Sequence, residues 1–181
     1  MIPRPPARLS VVDVHAEPNG CQADPRAATV TLRSEPLFSI VVGGQTAPSV
    51  RAATDAAVAL LDSCVPVADA LTACAAMLHG RSITLAATAG AVFRTRGRDV
   101  ACVVSARGGG QRRRAIPARP GDLYALCSPG LIAAVPVARI ESVLRTPDPA
   151  SLLARRLLAF ANQTDDAREA AVVVFLLGGA T

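Results

Sequence analysis

The longest apolar run in the chain, AAVVVFLL from Ala170 to Leu177, has the length of a strand, and nothing approaches the roughly 20 apolar residues that a membrane-crossing helix needs. Shorter runs of the same kind recur: LFSIVVGG (Leu37–Gly44) and LYALC, the latter held between the turn-forming groups PGD and SPG. Strands this apolar are buried on both faces. With helical patterns placed among and after them, they imply an α+β fold in which two packed antiparallel β-sheets are flanked by helices, an α-β-β-α sandwich in a reduced version. A chain of 181 residues with 51% apolar content can bury one full core, so a single domain over residues 1–181 is expected. The opening MIPRPPARLS has prolines where a secretory signal needs an apolar core, and the expectation is a soluble, cytoplasmic protein.

Along the chain, ARLSVVDVHA (Ala7–Ala16) and AATVTLRS (Ala27–Ser34) read as strands, and the turn-like Pro18-Asn19-Gly20 between them suggests an antiparallel pair. After the Leu37–Gly44 strand, Val50, Ala53, Ala57, Leu60 and Leu61 recur at helical spacing, with Thr46 as N-cap and Pro48 in the first turn. ALTACAAML, SITLAATA, VFRTRG and VACVVSA then read as a four-stranded meander with a small-residue corner around Gly90. RGGGQRRRAIPARP (Arg107–Pro120) reads as an exposed loop, and SPG after LYALC turns the chain outward. VPVARIESVLRT aligns Val137, Ile140 and Leu144 on one helical face, and Asp148-Pro149 opens a further helix with Leu153, Leu157 and Phe160.

The net charge of +5 comes from arginine set against 14 carboxylates, in a chain without lysine, which is the Arg- and Ala-biased composition of GC-rich coding sequence. The arginines are spread out and aromatics are 3% of residues, so no nucleic-acid partner is expected. Cys21, Cys64, Cys74, Cys102 and Cys127 stand singly without a C-x-x-C pair, and buried reduced thiols are expected rather than zinc ligands or disulfides. His15 and His79 lack spacing partners and read as core or turn residues. Ser128 has no G-x-S-x-G elbow, and no Lys-Ser/Thr follows Gly108-Gly109-Gly110. Arg112-Arg113-Arg114 is the one concentrated charge. It is either a solvated loop or a docking element for an acidic or phosphorylated partner, because guanidinium groups bind carboxylate and phosphate bidentately.

The order of these segments resembles the metal-dependent serine/threonine protein phosphatases of type 2C. LFSIVVGGQTA stands where the family has F-A-V-A-D-G-M-G-G, and ALTACAAML with SITLAATAGAVF where it has a G-x-T-A-x-x-A-L strand and its L-x-x-A-N-x-G-D-S partner. PGDLYALCSPGL matches P-G-D-x-L-L-L-x-S-D-G-L, and REAAVVVFLL matches the final D-N-x-T-V-V-V strand. The resemblance implies two divalent cations held by carboxylates, activating the water that attacks a phosphate.

At the matching positions the carboxylates are missing. Val42 stands ahead of a retained Gly43, Pro129 stands between retained Ser128 and Gly130, Arg168-Glu169 replaces D-N, and Gln22-Ala23-Asp24 keeps one acid of N-E-D. The resemblance therefore implies a pseudophosphatase and not an enzyme, with no catalytic residue, metal ligand or cofactor assigned. Its expected role is that of a regulatory or assembly subunit acting through protein–protein interaction, with Arg112, Arg113 and Arg114 as the partner-binding residues. The alternative is a weakly active or rebuilt phosphatase drawing on Asp24, Asp122, Asp165, Asp166 and Glu169. The chain is short for the family between Ser63 and Ala70, which should bare apolar sheet surface to a protein partner or a second copy.

Overall fold

The computed structural model describes residues 9–18, 27–32, 37–43, 72–106, 111–164 and 170–179. Its centre is the strand β9 (Leu123–Cys127), all of whose residues are buried, lying between β6 (Ala91–Arg96) and β10 (Ala171–Gly179). With β1 (Leu9–Pro18) and β7 (Asp99–Ser105) these form an antiparallel sheet in the order β1-β10-β9-β6-β7. The second sheet runs β2 (Ala27–Leu32), β3 (Leu37–Gly43), β4 (Thr72–His79), β5 (Ser82–Ala87), β8 (Arg112–Pro117).

Side chains alternate across each strand, so one apolar strand serves two cores. Toward the second sheet, Tyr124, Leu126, Val173 and Phe175 meet Cys74, Leu78, Ile83 and Leu85. The Tyr124 and Phe175 rings stack there at 5.4 Å. Toward the other side, Phe93, Ala125, Val172 and Val174 pack on Leu131, Ile140, Leu153 and Leu157 from three helices: α1 (Pro129–Ala134), α2 (Val137–Leu144) and α3 (Ala150–Ala161). Two face-to-face antiparallel sheets with helices against the first give the expected α+β sandwich. The helix read from Pro48 lies outside the described residues. No helix among the described residues is long and apolar enough to cross a membrane.

Several local expectations are corrected. β1 and β2 do not pair: β1 aligns with β10 from Leu9–Gly179 to Pro18–Ala171, and β2 aligns with β3, because each strand gains more by extending an apolar sheet than by closing a local hairpin. The meander is two hairpins in different sheets, β4-β5 and β6-β7, and the chain changes sheet at Gly90. The segment from Arg112 is not a loop but the edge strand β8. Ile116 pairs with Ile83 and is buried, while Arg112 to Ala115 remain exposed, as a polar strand at a sheet edge allows. After SPG a short helix begins. The bare sheet surface is not found at Ala75 and Ala86, which are fully buried on the face of the second sheet turned away from the first.

Gly90 has φ +88° and approaches other backbone closely; a Cβ there would lie 2.4 Å from the Cys127 carbonyl oxygen and 3.0 Å from Cys74 Sγ. Gly97 has φ +61° but open space around it. Gly90→Ala is therefore expected to cost about 3 kcal/mol or more, from strain plus overpacking, and Gly97→Ala only about 1 kcal/mol. Urea denaturation of the two variants measures the difference; equal losses would mean that the sheet crossover relaxes freely.

Candidate functional site

The β9-to-α1 turn holds Ser128, Pro129 and Gly130. Ser128 is fully buried, and its hydroxyl oxygen accepts from the Leu131 N–H at 3.2 Å and the Ala171 N–H at 2.9 Å. It is thus the N-cap of α1 and a clamp on β10, while Pro129 occupies the first helical turn, where its missing N–H costs nothing. Across the sandwich the Cys74 thiol donates to the Ala89 carbonyl at 3.1 Å and lies 3.5 Å from that of Cys127. Burial, and secondarily the Cys102 charge, push the Cys74 thiol far up; burial does the same to Cys127. Both remain neutral thiols, as expected. Cys102 departs from that expectation and is exposed on the edge strand β7, since its residue faces outward at a sheet margin.

The register places the other candidates. Thr29, Val41, Cys74, Ala87 and Arg112 form one cross-strand row through the second sheet, so Val42 and Gly43 end β3 beside the start of β4. Arg112 stands in the same row about 14 Å from Val41, three strand spacings away. Pro129, Gly130, Val42, Gly43 and the arginine edge thus share one end of the sandwich. Arg168 and Glu169 lie outside the described residues, as do Asp24, Asp165, Asp166, Gly108 to Gly110, Cys21 and Cys64; of His15 only the strand backbone is described. His79 is an exposed residue at the β4–β5 turn.

Asp122 sits at the opposite end of β9 and is fully buried. Arg96 donates Nε to Oδ1 at 2.7 Å and Nη2 to Oδ2 at 2.8 Å; the Arg119 N–H adds 2.9 Å and the Tyr124 hydroxyl 3.4 Å. Arg96 Nη2 also reaches the Pro117 carbonyl at 3.4 Å, so this ion pair ties β6 to the end of β8 in the other sheet. Burial by itself raises the Asp122 carboxyl, but the Arg96 and Arg119 hydrogen bonds, with the charges of Arg96 and Arg94, hold it below the usual carboxylate range. Burial and the Asp122 charge push the Tyr124 hydroxyl up, so it stays a donor. Nothing in the sequence signals the Arg96–Asp122 pair, which spans separate strands. Only the P-G-D turn marks Asp122 at all.

Divalent cations of the kind the sequence resemblance implies need several oxygen ligands. Asp122 has its oxygens committed, Pro129 offers none, and among the described residues no three His, Cys, Asp or Glu side chains gather as a metal group. The other candidate carboxylates, Asp24, Asp165, Asp166 and Glu169, lie outside the described residues.

No family model matches the sequence, and no curated protein matches it. Solved structures do match. The catalytic domain of the serine/threonine phosphatase PstP in complex with two manganese ions is 17% identical, over 96% of this chain and 100% of that one, with a TM-score of 0.64. The phosphatase domain of the cell-fate determinant SpoIIE from Bacillus subtilis is 12% identical over 96% and 94%, with a TM-score of 0.72. PppA, a key regulatory component of T6SS in Pseudomonas aeruginosa, is 12% identical over 96% and 99%, with a TM-score of 0.63. The chain has the type 2C phosphatase-like fold.

The expectation that the chain is not an enzyme is corrected by these matches. The folds it shares over nearly its whole length are phosphatase domains, among them a catalytic domain holding two manganese ions. The carboxylates missing at Val42, Pro129 and Arg168 do not outweigh that, because Asp24, Asp165, Asp166 and Glu169 fall outside the described residues.

Two predictions follow from the buried polar groups. Asp122→Ala should cost about 3 kcal/mol, since it strands the Arg96 guanidinium and the Arg119 amide. Because the folded-state pKa is depressed, the contribution is present above the ordinary carboxylate value of about 3.9 and is lost as pH falls through the folded-state value. Denaturation curves should show wild type losing this stability in acid, and Asp122→Asn lacking that step; parallel pH profiles would refute the pair's role. Ser128→Ala should cost about 2 kcal/mol by orphaning two buried amides, read as a lower urea midpoint with unchanged slope.

Proposed function

We propose that this chain is a phosphatase-fold module with a regulatory or assembly role, engaging a protein partner through the surface centred on Arg112, Arg113 and Arg114. The observation that carries this reading is the condition of those arginines. All three are exposed on an edge strand, and no carboxylate among the described residues pairs with them, whereas Arg96, Arg145 and Arg156 each have one. Guanidinium groups in that state are available to carboxylates or phosphates on another molecule. PppA, which shares the fold, is itself a regulatory component.

A second reading, a metal-dependent phosphoprotein phosphatase, is favoured by the manganese-bearing PstP domain. It would draw its carboxylates from Asp24, Asp165, Asp166 and Glu169. One set of measurements separates the two. For the first reading, sedimentation at micromolar concentration, with affinity capture from the source cells, is expected to find a stable complex with itself or a partner. Reversing the three arginines to Glu should slow its association at least tenfold and flatten its salt dependence. A monomer without partners that releases phosphate from phosphopeptides only with manganese, and loses the activity on Asp24→Asn or Glu169→Gln, would overturn the first reading and establish the second.

A further inference from the structure

The arginines do not sit on a loop tip but on a strand whose outer edge pairs with no described strand, although β7 of the other sheet lies near it and Arg96 takes the Pro117 carbonyl at its far end, and that changes what they can recognise. β8 hydrogen-bonds to β5 on one side and ends the sheet on the other. An open edge offers a row of backbone N–H and C=O groups to an incoming extended segment. Ile116 is buried between the sheets, so Arg114 and Arg112, two and four residues before it, project to that same face, and Arg113 and Ala115 to the other. Their cross-strand partners on β5 are Leu85, Ala86 and Ala87, none of which carries charge.

A second copy is a poor occupant of this edge, because self-pairing would gather two sets of three arginines along one edge, and like charges brought close together destabilise a sheet. The opposite sign is favoured. We infer that β8 receives an extended acidic segment of a partner protein as an added strand, with consecutive Asp or Glu side chains set against Arg112, Arg113 and Arg114. Backbone hydrogen bonds supply the ladder. The alternating arginines select three acids in a row, two for one face of the sheet and one for the other. The partner is a carboxylate-bearing polypeptide, and the inference rests on the binding role proposed above.

The test uses the full chain and a fluorescent peptide of about nine residues, a common strand length, with Thr and Val flanking a central Glu-Asp-Glu. Fluorescence anisotropy should show saturable binding that weakens at least tenfold in the Arg112→Glu/Arg114→Glu variant, whose fold is checked by circular dichroism. A second peptide of identical sequence, N-methylated at alternate backbone amides, keeps the charge but cannot complete a ladder, and should bind at least tenfold more weakly. Equal binding of the two peptides would overturn strand addition in favour of simple charge attraction. A phosphoserine peptide of equal length binding tenfold more tightly than the Glu-Asp-Glu peptide would overturn the assignment to carboxylates. If captured complexes weaken in the variant but neither peptide binds, the inference fails while the regulatory reading stands. If no complex exists at all, it is the regulatory reading that fails.

Discussion

Everything in this fold depends on β9 and β10 being buried on both faces. Leu126, Val173 and Phe175 need cover from one side and Ala125, Val172 and Val174 from the other, so one sheet cannot be left half-wet and the chain must supply two unlike covers. The second sheet is one cover and the helices are the other. Small residues where the layers meet let them close: Cys74, Gly90 and Cys127 come together where β5 hands the chain to β6, and only glycine fits between the Cys127 carbonyl and the Cys74 sulfur. The Arg96–Asp122 pair fastens the opposite end, reaching from β6 to the Pro117 carbonyl of the second sheet. The sandwich is held by packing along its length and by one tight approach and one ion pair at its two ends.

That division explains which parts of the structure were legible in the sequence. Elements whose identity follows from local pattern are legible: β3, β9 and β10 from their largely apolar runs, α2 and α3 from Ile140, Leu144, Leu153 and Leu157 at helical spacing. Pairing was not local and was misread. Pro18-Asn19-Gly20 carries every residue type of a hairpin turn, yet β1 joins β10 and β2 joins β3. β8 was hidden for a different reason. An edge strand buries so little that Ile116 is its one fully apolar anchor, and three arginines with flanking prolines read as loop because their hydropathy is that of a loop. The short helix α1 was missed because Pro129 signals a turn and a first helical position equally well, and the choice between them is made by the Ser128 cap, a contact with Ala171 far along the chain.

The same distinction bears on the candidate site. Which residue stands at the end of each strand was legible; which side chains those ends bring together was not. Asp122 is one of the five acids from which the sequence could assemble a rebuilt site. Its place at the far end of β9, with Arg96, Arg119 and Tyr124 filling its coordination, makes it a structural acid. Pro129, which reads in the sequence as part of an outward turn, is the first residue of a helix capped by its neighbour.

The charge of the two ends points in the same direction. The Asp122 end neutralises its arginine internally, at 2.7 Å and with the carboxylate fully buried, so it has little left to offer another molecule. The other end places Arg112 in one cross-strand row with Cys74 and Val41, and brings no described carboxylate to meet it. A charge left uncompensated at a surface is cheap to maintain in water and gains value only when an opposite charge displaces that water. In a sandwich whose apolar interior is closed on both faces of β9, the described surface differs chiefly at its margins, and β8 is a margin where an edge paired to no described strand and exposed arginines coincide.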